Sequence, residues 1–414
     1  MYNVPSVVIM WHFDMIARRF AFGKHFLIFA GANCAIFFWE LIKKRAEYMA
    51  AKCREYECRN LNLKFHVAEV ISMGIEELTR DQFKGVRTDL ALEVHEKNQE
   101  NIRRSGTATT YPYAEGVEVT EDGNKDIHVT RVRITSPAGE KNIGKPMGNY
   151  ITLDVPRLKE NDRDLYEMTC RAVAFELQQL LKLKENDTVL VVGLGNWNIT
   201  PDALGPKVVS YLMVTRHLHE YLPEQIDDGV RPVCAIAPGV LGLTGIETSD
   251  IVQGVVNQVR PALVIAIDSL ASRKMNRINT TIQIADTGIS PGSGVGNRRG
   301  ELSEKTLGVP VIAIGVPTVV DAATMANDTI ELVIDSLMAQ SDKGSDFYRM
   351  LKEMDQNEKY DLIREVLEPY GGNLVVTPKE MDEVIDRVSK VIANGINLAL
   401  HRNIGFDDID RYLQ

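Results

Sequence analysis

The fold of this sequence is decided by the stretch Thr188-Val-Leu-Val-Val192 and by three similar stretches that follow it. These are Pro232-Val-Cys-Ala-Ile-Ala237, Ala262-Leu-Val-Ile-Ala-Ile267 and Val309-Pro-Val-Ile-Ala-Ile314. All four are continuous apolar runs, which are typical of strands buried on both faces of a parallel sheet. Helical patterns at 202–220 and 247–259 separate several of them. The sequence therefore predicts an α/β protein with a doubly wound, mainly parallel sheet.

The regions on either side of these runs have other patterns. Residues 104–155 are predicted to be rich in β-structure, because His128-Val-Thr-Arg-Val-Arg-Ile-Thr135 alternates apolar with polar residues and Asn149-Tyr-Ile-Thr-Leu-Asp-Val155 does the same. After Ala339 the pattern is mostly helical, and Pro378 is predicted to begin a long helix that ends near Leu400. We therefore expect a β-rich insertion before the parallel strands and a helical C-terminal part after them.

Composition excludes several classes of protein. The 414 residues are 44% hydrophobic and 25% charged, as in ordinary globular proteins, and 47 Lys and Arg against 57 Asp and Glu give a charge of −10. Such a balance argues against a protein that coats nucleic acid or an anionic membrane. The five cysteines have no metal-type spacing, which argues against a disulfide scaffold and indicates a reducing compartment.

Residues 1–72 differ from the rest of the sequence. They carry 10 Lys and Arg against 6 Asp and Glu, a charge of +4, so the remainder carries −14. Phe26 to Trp39 is an almost unbroken apolar run, shorter than the about 20 residues that a membrane-spanning helix needs. Three interpretations stay open: a weak membrane anchor, a buried or interfacial helix, or an upstream extension from a mis-chosen start, with Met73 as the true one. No functional residue is predicted in this segment.

Candidate catalytic residues follow the apolar runs. Ligands of open parallel sheets bind beyond the carboxyl ends of the strands, and Asp202, Asp268 and Asp321 lie at or just beyond predicted strand ends. Thr200-Pro-Asp202 also resembles a helix start with Thr200 as N-cap, which is a structural alternative for Asp202. Asp268 directly follows an apolar strand and needs a partner if buried, so pairing with another strand-end acid is predicted. Two such carboxylates can share a proton and act as base and acid.

Other chemistries have weaker support. Gly193-x-Gly195 begins like a dinucleotide-binding fingerprint, but Asn198 stands where the third glycine belongs. His217 and His219 are two apart on a predicted helix and face different directions, so they do not form a metal-binding pair. A nucleotide-binding oxidoreductase, a metallopeptidase whose strand-end acids hold a metal, and a non-enzymatic binding module remain as alternatives.

A glycine-rich loop follows the third apolar run. Asp286-Thr-Gly-Ile-Ser-Pro-Gly-Ser-Gly-Val-Gly-Asn297 contains the Asp-Thr-Gly of pepsin-like proteases, but a single copy in an α/β sequence does not indicate that fold. Its backbone N–H groups are suited to binding an anion or a peptide. Arg298 and Arg299 follow at once and either neutralise an acidic ligand or form a solvated basic turn. Charge complementarity predicts that Arg273, Arg298 or Arg299 pairs with an acidic substrate side chain.

Several of these stretches together resemble the germination proteases of spore-forming bacteria. They are Gly193-Leu-Gly-Asn-Trp-Asn-Ile-Thr-Pro-Asp-Ala-Leu-Gly-Pro206, Pro238-Gly-Val-Leu-Gly-Leu-Thr-Gly-Ile-Glu247, Ile267-Asp-Ser-Leu-Ala-Ser-Arg273 and the 286–297 loop. The resemblance runs from about Met73 to the C-terminus and leaves residues 1–72 uncovered.

The resemblance implies an aspartic-type endopeptidase with a fold similar to hydrogenase maturation proteases and with neither a cofactor nor a bound metal. By motif match, its two catalytic aspartates are Asp202 and Asp268. The family is made as a zymogen that removes its own propeptide. The matching cut lies between Asp89 and Leu90, which makes residues 73–89 the propeptide and residues 90–414 the catalytic α/β domain.

The resemblance also implies substrates and surroundings. The family degrades small acid-soluble spore proteins during germination, cutting after an acidic residue and before a hydrophobic residue followed by Ala. The segment Arg87-Thr-Asp-Leu-Ala-Leu-Glu93 has this pattern, with Asp89 where substrates usually carry Glu, so a slow site is predicted. Further implications are a homo-tetramer, a location in the cytoplasm of the spore core, no direct contact with nucleic acid, and no membrane attachment of the mature enzyme.

Overall fold

The structure is a computed structural model that describes residues 88–105, 115–292, 299–340, 363, 365–367, 374–406 and 408–409. The predictions made for residues 1–72, for residues 73–87 of the propeptide and for Arg298 lie outside the described residues. In the described part, the strands are β1 Val117–Gly123, β2 His128–Ile134, β3 Gly148–Asp154, β4 Val189–Gly193, β5 Val233–Ile236, β6 Leu263–Ser272, β7 Thr281–Ala285, β8 Val311–Asp321 and β9 Val375–Val376.

Ten α-helices lie in the described residues. They are α1 Ala91–Ser105, α2 Pro137–Ile143, α3 Arg163–Leu180, α4 Leu204–Ser210, α5 Arg216–Tyr221, α6 Leu241–Thr244, α7 Thr248–Val259, α8 Glu304–Leu307, α9 Ala322–Gln340 and α10 Met381–Leu400. Short 3-10 turns occupy Thr200–Asp202, Pro223–Gln225 and Met275–Arg277.

The four continuous apolar runs form the parallel strands, as predicted. Strands β5, β4, β6 and β8 are neighbours in this order and run parallel. Their side chains pack against α3, α4 and α10 on one face and against α7 on the other, so apolar residues face a helical layer on both sides. Burial on both faces explains why these runs do not alternate. The prediction of a doubly wound α/β core is confirmed.

The prediction of a mainly parallel sheet needs correction, because the sheet is mixed. The strands lie in the order β1-β2-β3-β7-β8-β6-β4-β5, with β9 beside β8. Pairs β1–β2, β2–β3, β3–β7 and β7–β8 are antiparallel. The β-rich insertion therefore extends the central sheet through β7 instead of forming a layer of its own.

The helix predicted at 202–220 is interrupted. The chain leaves the helical conformation after α4, where the N–H of Met213 donates to Oδ1 of Asn397 on α10 at 3.1 Å. The N–H of Thr215 then donates to the carbonyl oxygen of Val233 on β5 at 2.9 Å, and α5 begins at the next residue. Bonds to other elements thus outweigh the local helical pattern. The terminal helix also begins at Met381 and not at Pro378.

The strands of the sheet end at different levels, and this leaves room for a site beside β6. Strand β4 pairs with β6 only as far as Gly193 and Ile267, whereas β6 and β8 continue side by side to Ser272 and Val320. From Asp268 onward, β6 pairs with β8 alone among the described strands. The carboxyl end of β6 therefore projects beyond β4, which is where open α/β sheets bind ligands.

Candidate active site

The glycine-rich turn after β4 holds Asp202. Gly195 has a φ of +117°, a conformation that favours glycine, and a Cβ atom there would lie 2.0 Å from the carbonyl oxygen of Asp202. At Gly193 a Cβ atom would lie 2.2 Å from the carbonyl oxygen of Gly205. The motif Gly193-x-Gly195 is therefore explained by close approach within the chain, without a dinucleotide.

The interpretation of Thr200 as a helix N-cap is wrong. Thr200 is the first residue of the 3-10 turn, and its hydroxyl donates to Oδ1 of Asp382 at 2.7 Å. Oδ2 of Asp202 accepts a hydrogen bond of 2.9 Å from the N–H of Asn196, a residue that lies before the turn in the chain. The turn ends at Asp202, and α4 begins only at Leu204. The carboxylate of Asp202 is thus directed back at the β4 loop and not at the start of the next helix.

Asp268 is buried on β6, with 5% of its surface exposed. It follows Ile267, the last residue of β6 that pairs with β4, and stands in register with Gly315 on β8. Oδ1 accepts a hydrogen bond from the N–H of Ser269 at 2.9 Å. The turn that carries Asp202 contacts both β6 and β8. The Asp202 turn and Asp268 therefore lie close together, and the charge of Asp202 acts on the carboxyl group of Asp268, so the two form one candidate site beside β6.

Burial gives the two carboxyl groups unusual proton affinities. It raises the pKa of Asp202 to about 6, although the hydrogen bond from Asn196 acts in the opposite direction. Burial, followed by the negative charges of Asp202 and Asp89, raises the pKa of Asp268 well above its ordinary value. The protonated form is therefore favoured at both groups and more strongly at Asp268, which is the more deeply buried, so that Asp202 is the group that ionises more readily. A neighbouring base and acid of this kind are suited to general acid–base catalysis.

A segment of the chain itself lies in the same cleft. The N–H of Asp89 donates to the carbonyl oxygen of Ala271, and the N–H of Ala271 donates to Oδ2 of Asp89, both at 2.9 Å. Leu90 and Ala91 are fully buried, and Ala91 is the first residue of α1. The predicted cleavage site therefore occupies the end of β6, three residues beyond Asp268.

Glu93 connects the start of α1 to the residues that follow β6 through hydrogen bonds. Its carboxylate accepts hydrogen bonds from the N–H groups of Arg273, at 2.6 Å, and Lys274, at 3.1 Å. Oε1 also lies 3.4 Å from the guanidinium of Arg277, and the hydroxyl of Thr88 donates to Oε2. Residues on both sides of the Asp89–Leu90 bond are thus held in place.

Gln283 is a site residue that the sequence analysis missed. Its Oε1 accepts a hydrogen bond from the N–H of Ala91 at 2.9 Å, and its Nε2 donates to the carbonyl oxygen of Asp89 at 3.4 Å. It lies on β7, in the otherwise apolar surroundings of Ile282 and Ile284. An amide in the middle of a buried strand needs hydrogen-bond partners, and this was the signal available in the sequence.

Arg273 and Arg299, two of the three arginines predicted to pair with an acidic substrate, each form an ion pair with a carboxylate of this chain. The guanidinium of Arg273 bonds the carboxylate of Asp328 on α9, with 2.9 Å between Nε and Oδ2. Arg299 lies 3.6 Å from the carboxylate of Glu247. Asp321, the third strand-end acid, accepts hydrogen bonds from the N–H and the hydroxyl of Thr324 and so caps the start of α9.

The described residues hold neither a metal-binding cluster nor a membrane-spanning helix. In that part of the chain, no group of three or more His, Cys, Asp and Glu side chains is arranged to hold a metal ion. No helix there combines the length and apolar character that crossing a membrane would require.

Comparison with known proteins identifies the class and then the family. A family model described as germination protease matches residues 91–346 and 334–413. Together with the α/β fold and the cleft, this match defines the protein as an endopeptidase, a hydrolase of peptide bonds. The matched residues include Asp202, Asp268 and Gln283 and exceed half of the chain. The chain therefore belongs to the germination protease family.

Individual relatives agree with this assignment. The germination protease of Clostridium tetani is 54% identical over 328 residues, which cover 79% of this chain and 99% of that protein. The germination protease of Caldanaerobacter subterraneus is 54% identical over 329 residues, covering 80% of this chain and 98% of the relative. The germination protease of Bacillus velezensis is 44% identical, with 82% of this chain and 100% of the relative covered.

Proposed function

We propose that this chain is a self-processing, aspartic-type endopeptidase that begins the degradation of small acid-soluble spore proteins during germination. It cuts after an acidic residue and before a hydrophobic residue that is followed by Ala. The same site first removes a propeptide, residues 73–89, by cutting the Asp89–Leu90 bond and leaves residues 90–414 as the catalytic domain.

One observation carries this proposal. The segment Asp89-Leu-Ala91 has the proposed recognition pattern, and both hydrogen-bonding groups of the Ala271 main chain bind Asp89 beside Asp268. The charge of Asp89 is among the causes that raise the pKa of Asp268, which supports close proximity of the cleavage site to the acid. A substrate with the same pattern is expected to bind where this segment now lies.

The proton affinities of the pair assign the roles. Ionised Asp202 takes a proton from a water molecule, whose oxygen forms a bond to the carbonyl carbon of the residue before the cut. Asp268 gives its proton to the amide nitrogen, and the carbon–nitrogen bond breaks. The products are a carboxyl group and an amine. Transfer of the proton from Asp202 back to Asp268 through solvent restores the pair.

The remaining parts of the proposal follow from the family. They are a location in the cytoplasm of the spore core, a homo-tetrameric state, and a fold related to hydrogenase maturation proteases. Pairing of Arg273, Arg298 or Arg299 with the acidic substrate side chain also stays a prediction. The hydrogen bond from the N–H of Ala271 to Asp89 offers a second way to recognise that acid.

The test uses the full chain with Asp202→Asn or Asp268→Asn. We expect both variants to lose self-cleavage after Asp89 and digestion of a purified small acid-soluble spore protein. Asp321→Asn is the matched control, because it changes another buried strand acid and keeps an oxygen that caps α9. Full activity of either cleft variant would overturn the aspartate mechanism, and loss of activity on adding a chelator would favour a metallopeptidase.

A further inference from the structure

The Gln283 side chain is a buried amide that uses both of its ends on one segment. It is 8% exposed, and β7 places it between β3 and β8 in the sheet. Its oxygen accepts from the N–H of Ala91 and its nitrogen donates to the carbonyl oxygen of Asp89. The assignment of oxygen and nitrogen is fixed by the partners, because an N–H can only donate and a carbonyl oxygen can only accept.

These two bonds span the bond proposed to be cut. The carbonyl group of Asp89 is half of the Asp89–Leu90 peptide, and Ala91 is the second residue after it. Gln283 therefore holds the chain on both sides of the reacting carbon. A shift of the segment by one residue would remove both bonds, since N–H and carbonyl groups would no longer stand opposite the matching ends of the amide.

The sheet places this amide on the same face as the acid of the pair. Gln283 and Asp268 each stand in register with Gly315, which lies between them on β8. Side chains of residues in one row across a sheet point to the same face. Gly315 carries no side chain, and Leu270 packs closely against it, since a Cβ atom there would lie 2.5 Å from Cγ of Leu270. The amide and the carboxyl group thus lie on one face of the sheet, one strand apart on either side of β8 and Leu270.

We propose that Gln283 is a further catalytic residue of this enzyme, which binds the carbonyl oxygen of the bond being cut and fixes the substrate register through the N–H two residues beyond it. This inference rests on the proposed function and names the residue that completes its site. It assigns the same two contacts to the propeptide and to substrates cut in trans.

The chemical role follows from the charge that develops on the carbonyl oxygen. When water attacks the carbon of Asp89, that oxygen becomes an anion, and a donor aimed at it stabilises the transition state more than the ground state. The distance of 3.4 Å from Nε2 is long for a hydrogen bond, and we expect it to shorten as the oxygen gains charge. Gln283 donates a hydrogen bond throughout and transfers no proton.

Substitutions of Gln283 separate catalysis from a merely structural role in capping α1. Gln283→Glu keeps an oxygen for the N–H of Ala91 and loses the donor, whereas Gln283→Met keeps the length and loses both. In the full chain we expect Gln283→Glu to cut itself about 10²- to 10³-fold more slowly, the usual loss for one donor of this kind. The matched control Gln253→Glu, on the exposed face of α7, is expected to cut itself at the wild-type rate.

The outcomes distinguish the inference from the function on which it rests. Self-cleavage of Gln283→Glu at the wild-type rate, with Asp268→Asn inactive, would overturn the role of Gln283 alone. Self-cleavage of Asp268→Asn at the wild-type rate would overturn the proposed function. Thermal unfolding of each variant identifies a loss of activity that is due to misfolding.

A second measurement needs no protein variant. Wild-type chain that has cut itself is given a peptide of residues 84–97, either unmodified or methylated on the nitrogen that corresponds to Ala91. Loss of that one hydrogen bond is expected to lower kcat/KM about tenfold. A peptide methylated at the position of Glu96 serves as control. Equal kcat/KM for the Ala91-methylated and unmodified peptides would overturn the register role.

Discussion

Strands β6 and β8 each carry a buried aspartate, Asp268 inside β6 and Asp321 at the end of β8, and the two have different surroundings. Asp321 ends β8, and its carboxylate accepts two hydrogen bonds from Thr324 at the start of α9. Asp268 lies where β6 passes the end of β4. It accepts a bond from its neighbour Ser269 and faces the charges of Asp202 and Asp89. Asp321 thus accepts hydrogen bonds from the helix that follows it, whereas the negative charges of two other carboxyl groups act on Asp268.

The difference shows what a catalytic carboxyl group requires. Asp321 is held by the hydrogen bonds that it accepts at the start of α9, which is the role of a helix cap. Burial next to other negative charges stabilises the protonated form. The same residue type on two neighbouring strands thus serves structure in one case and, in our proposal, chemistry in the other.

The largest expected effect is on activity at β6. Asp268→Asn is expected to slow self-cleavage by about 10²- to 10⁴-fold, the usual contribution of general acid–base catalysis, with little change in the free energy of unfolding, because a neutral amide suits a buried place that disfavours charge. At the end of β8, Asp321→Ala is expected to cut itself normally and to lose about 1 kcal/mol of stability through loss of the cap. Cleavage rates and urea unfolding measure both. Equal losses of activity at the two ends would remove the distinction.

The second largest effect on activity is expected for a substitution in the glycine turn that positions Asp202. In Gly195→Ala, the new methyl group meets the carbonyl oxygen of Asp202, so we expect displacement of its carboxylate and a loss of activity of up to about 10²-fold. Gly144→Ala is the control, since Gly144 also has a positive φ, of +67°, but a Cβ there has nothing within 4 Å. Normal cleavage by Gly195→Ala would show that the position of Asp202 is not critical.

The pKa of Asp202 gives a smaller effect, on stability against pH. Because burial raises that pKa to about 6, the folded state binds the proton more tightly than the unfolded state does. The contribution of Asp202 to stability is therefore largest below the ordinary carboxyl range, and it falls by about 3 kcal/mol as pH rises from about 4 through 6.

Urea unfolding measured from pH 4 to 7 tests this prediction. It is measured in Asp268→Asn, which is expected not to cut itself, and in the double variant that also carries Asp202→Asn. The double variant is expected to lose this part of the pH dependence. Identical pH profiles of the two proteins would contradict the raised pKa of Asp202. Activity is expected to follow the same group and to fall as pH drops below about 6.

The smallest effect is expected at Arg299. Its ion pair with Glu247 is partly exposed, with 3.6 Å between the groups, and such pairs contribute at most about 1 kcal/mol. Arg299→Glu is therefore expected to reduce the preference for Glu over Gln before the cut by less than about fivefold, measured with paired peptides. An unchanged preference would leave recognition of the acid to the N–H of Ala271. Complete loss of the preference would make Arg299 the main determinant.

The sequence predicted the core of the fold because burial leaves a direct trace in residue type. The four apolar runs became β4, β5, β6 and β8, and the position of Asp268 followed from the end of its run. The mixed character of the sheet was not predictable from these runs, since the pairing of β3 with β7 joins residues more than a hundred positions apart. The break after α4 likewise depends on Asn397, a distant residue.

Only part of the candidate site could be predicted, because the local pattern shows residue type and position but not contacts between distant residues. Asp202 and Asp268 stood out by type and position. Gln283 did not, because its partners belong to a segment almost two hundred residues earlier in the chain. The role of Thr200 was misread because Thr-Pro-Asp fits a helix start locally, whereas the hydroxyl bonds Asp382 on α10. Contacts between distant residues are what the local pattern lacks.

The most direct test of the central claim is mass spectrometry of the full chain after self-cleavage in water labelled with heavy oxygen. The account predicts a new amino terminus at Leu90 and one heavy oxygen in the carboxyl group released at Asp89. It also predicts neither product from Asp268→Asn, while Asp321→Asn gives both. Cleavage at another bond, or labelled cleavage by Asp268→Asn at the wild-type rate, would contradict it.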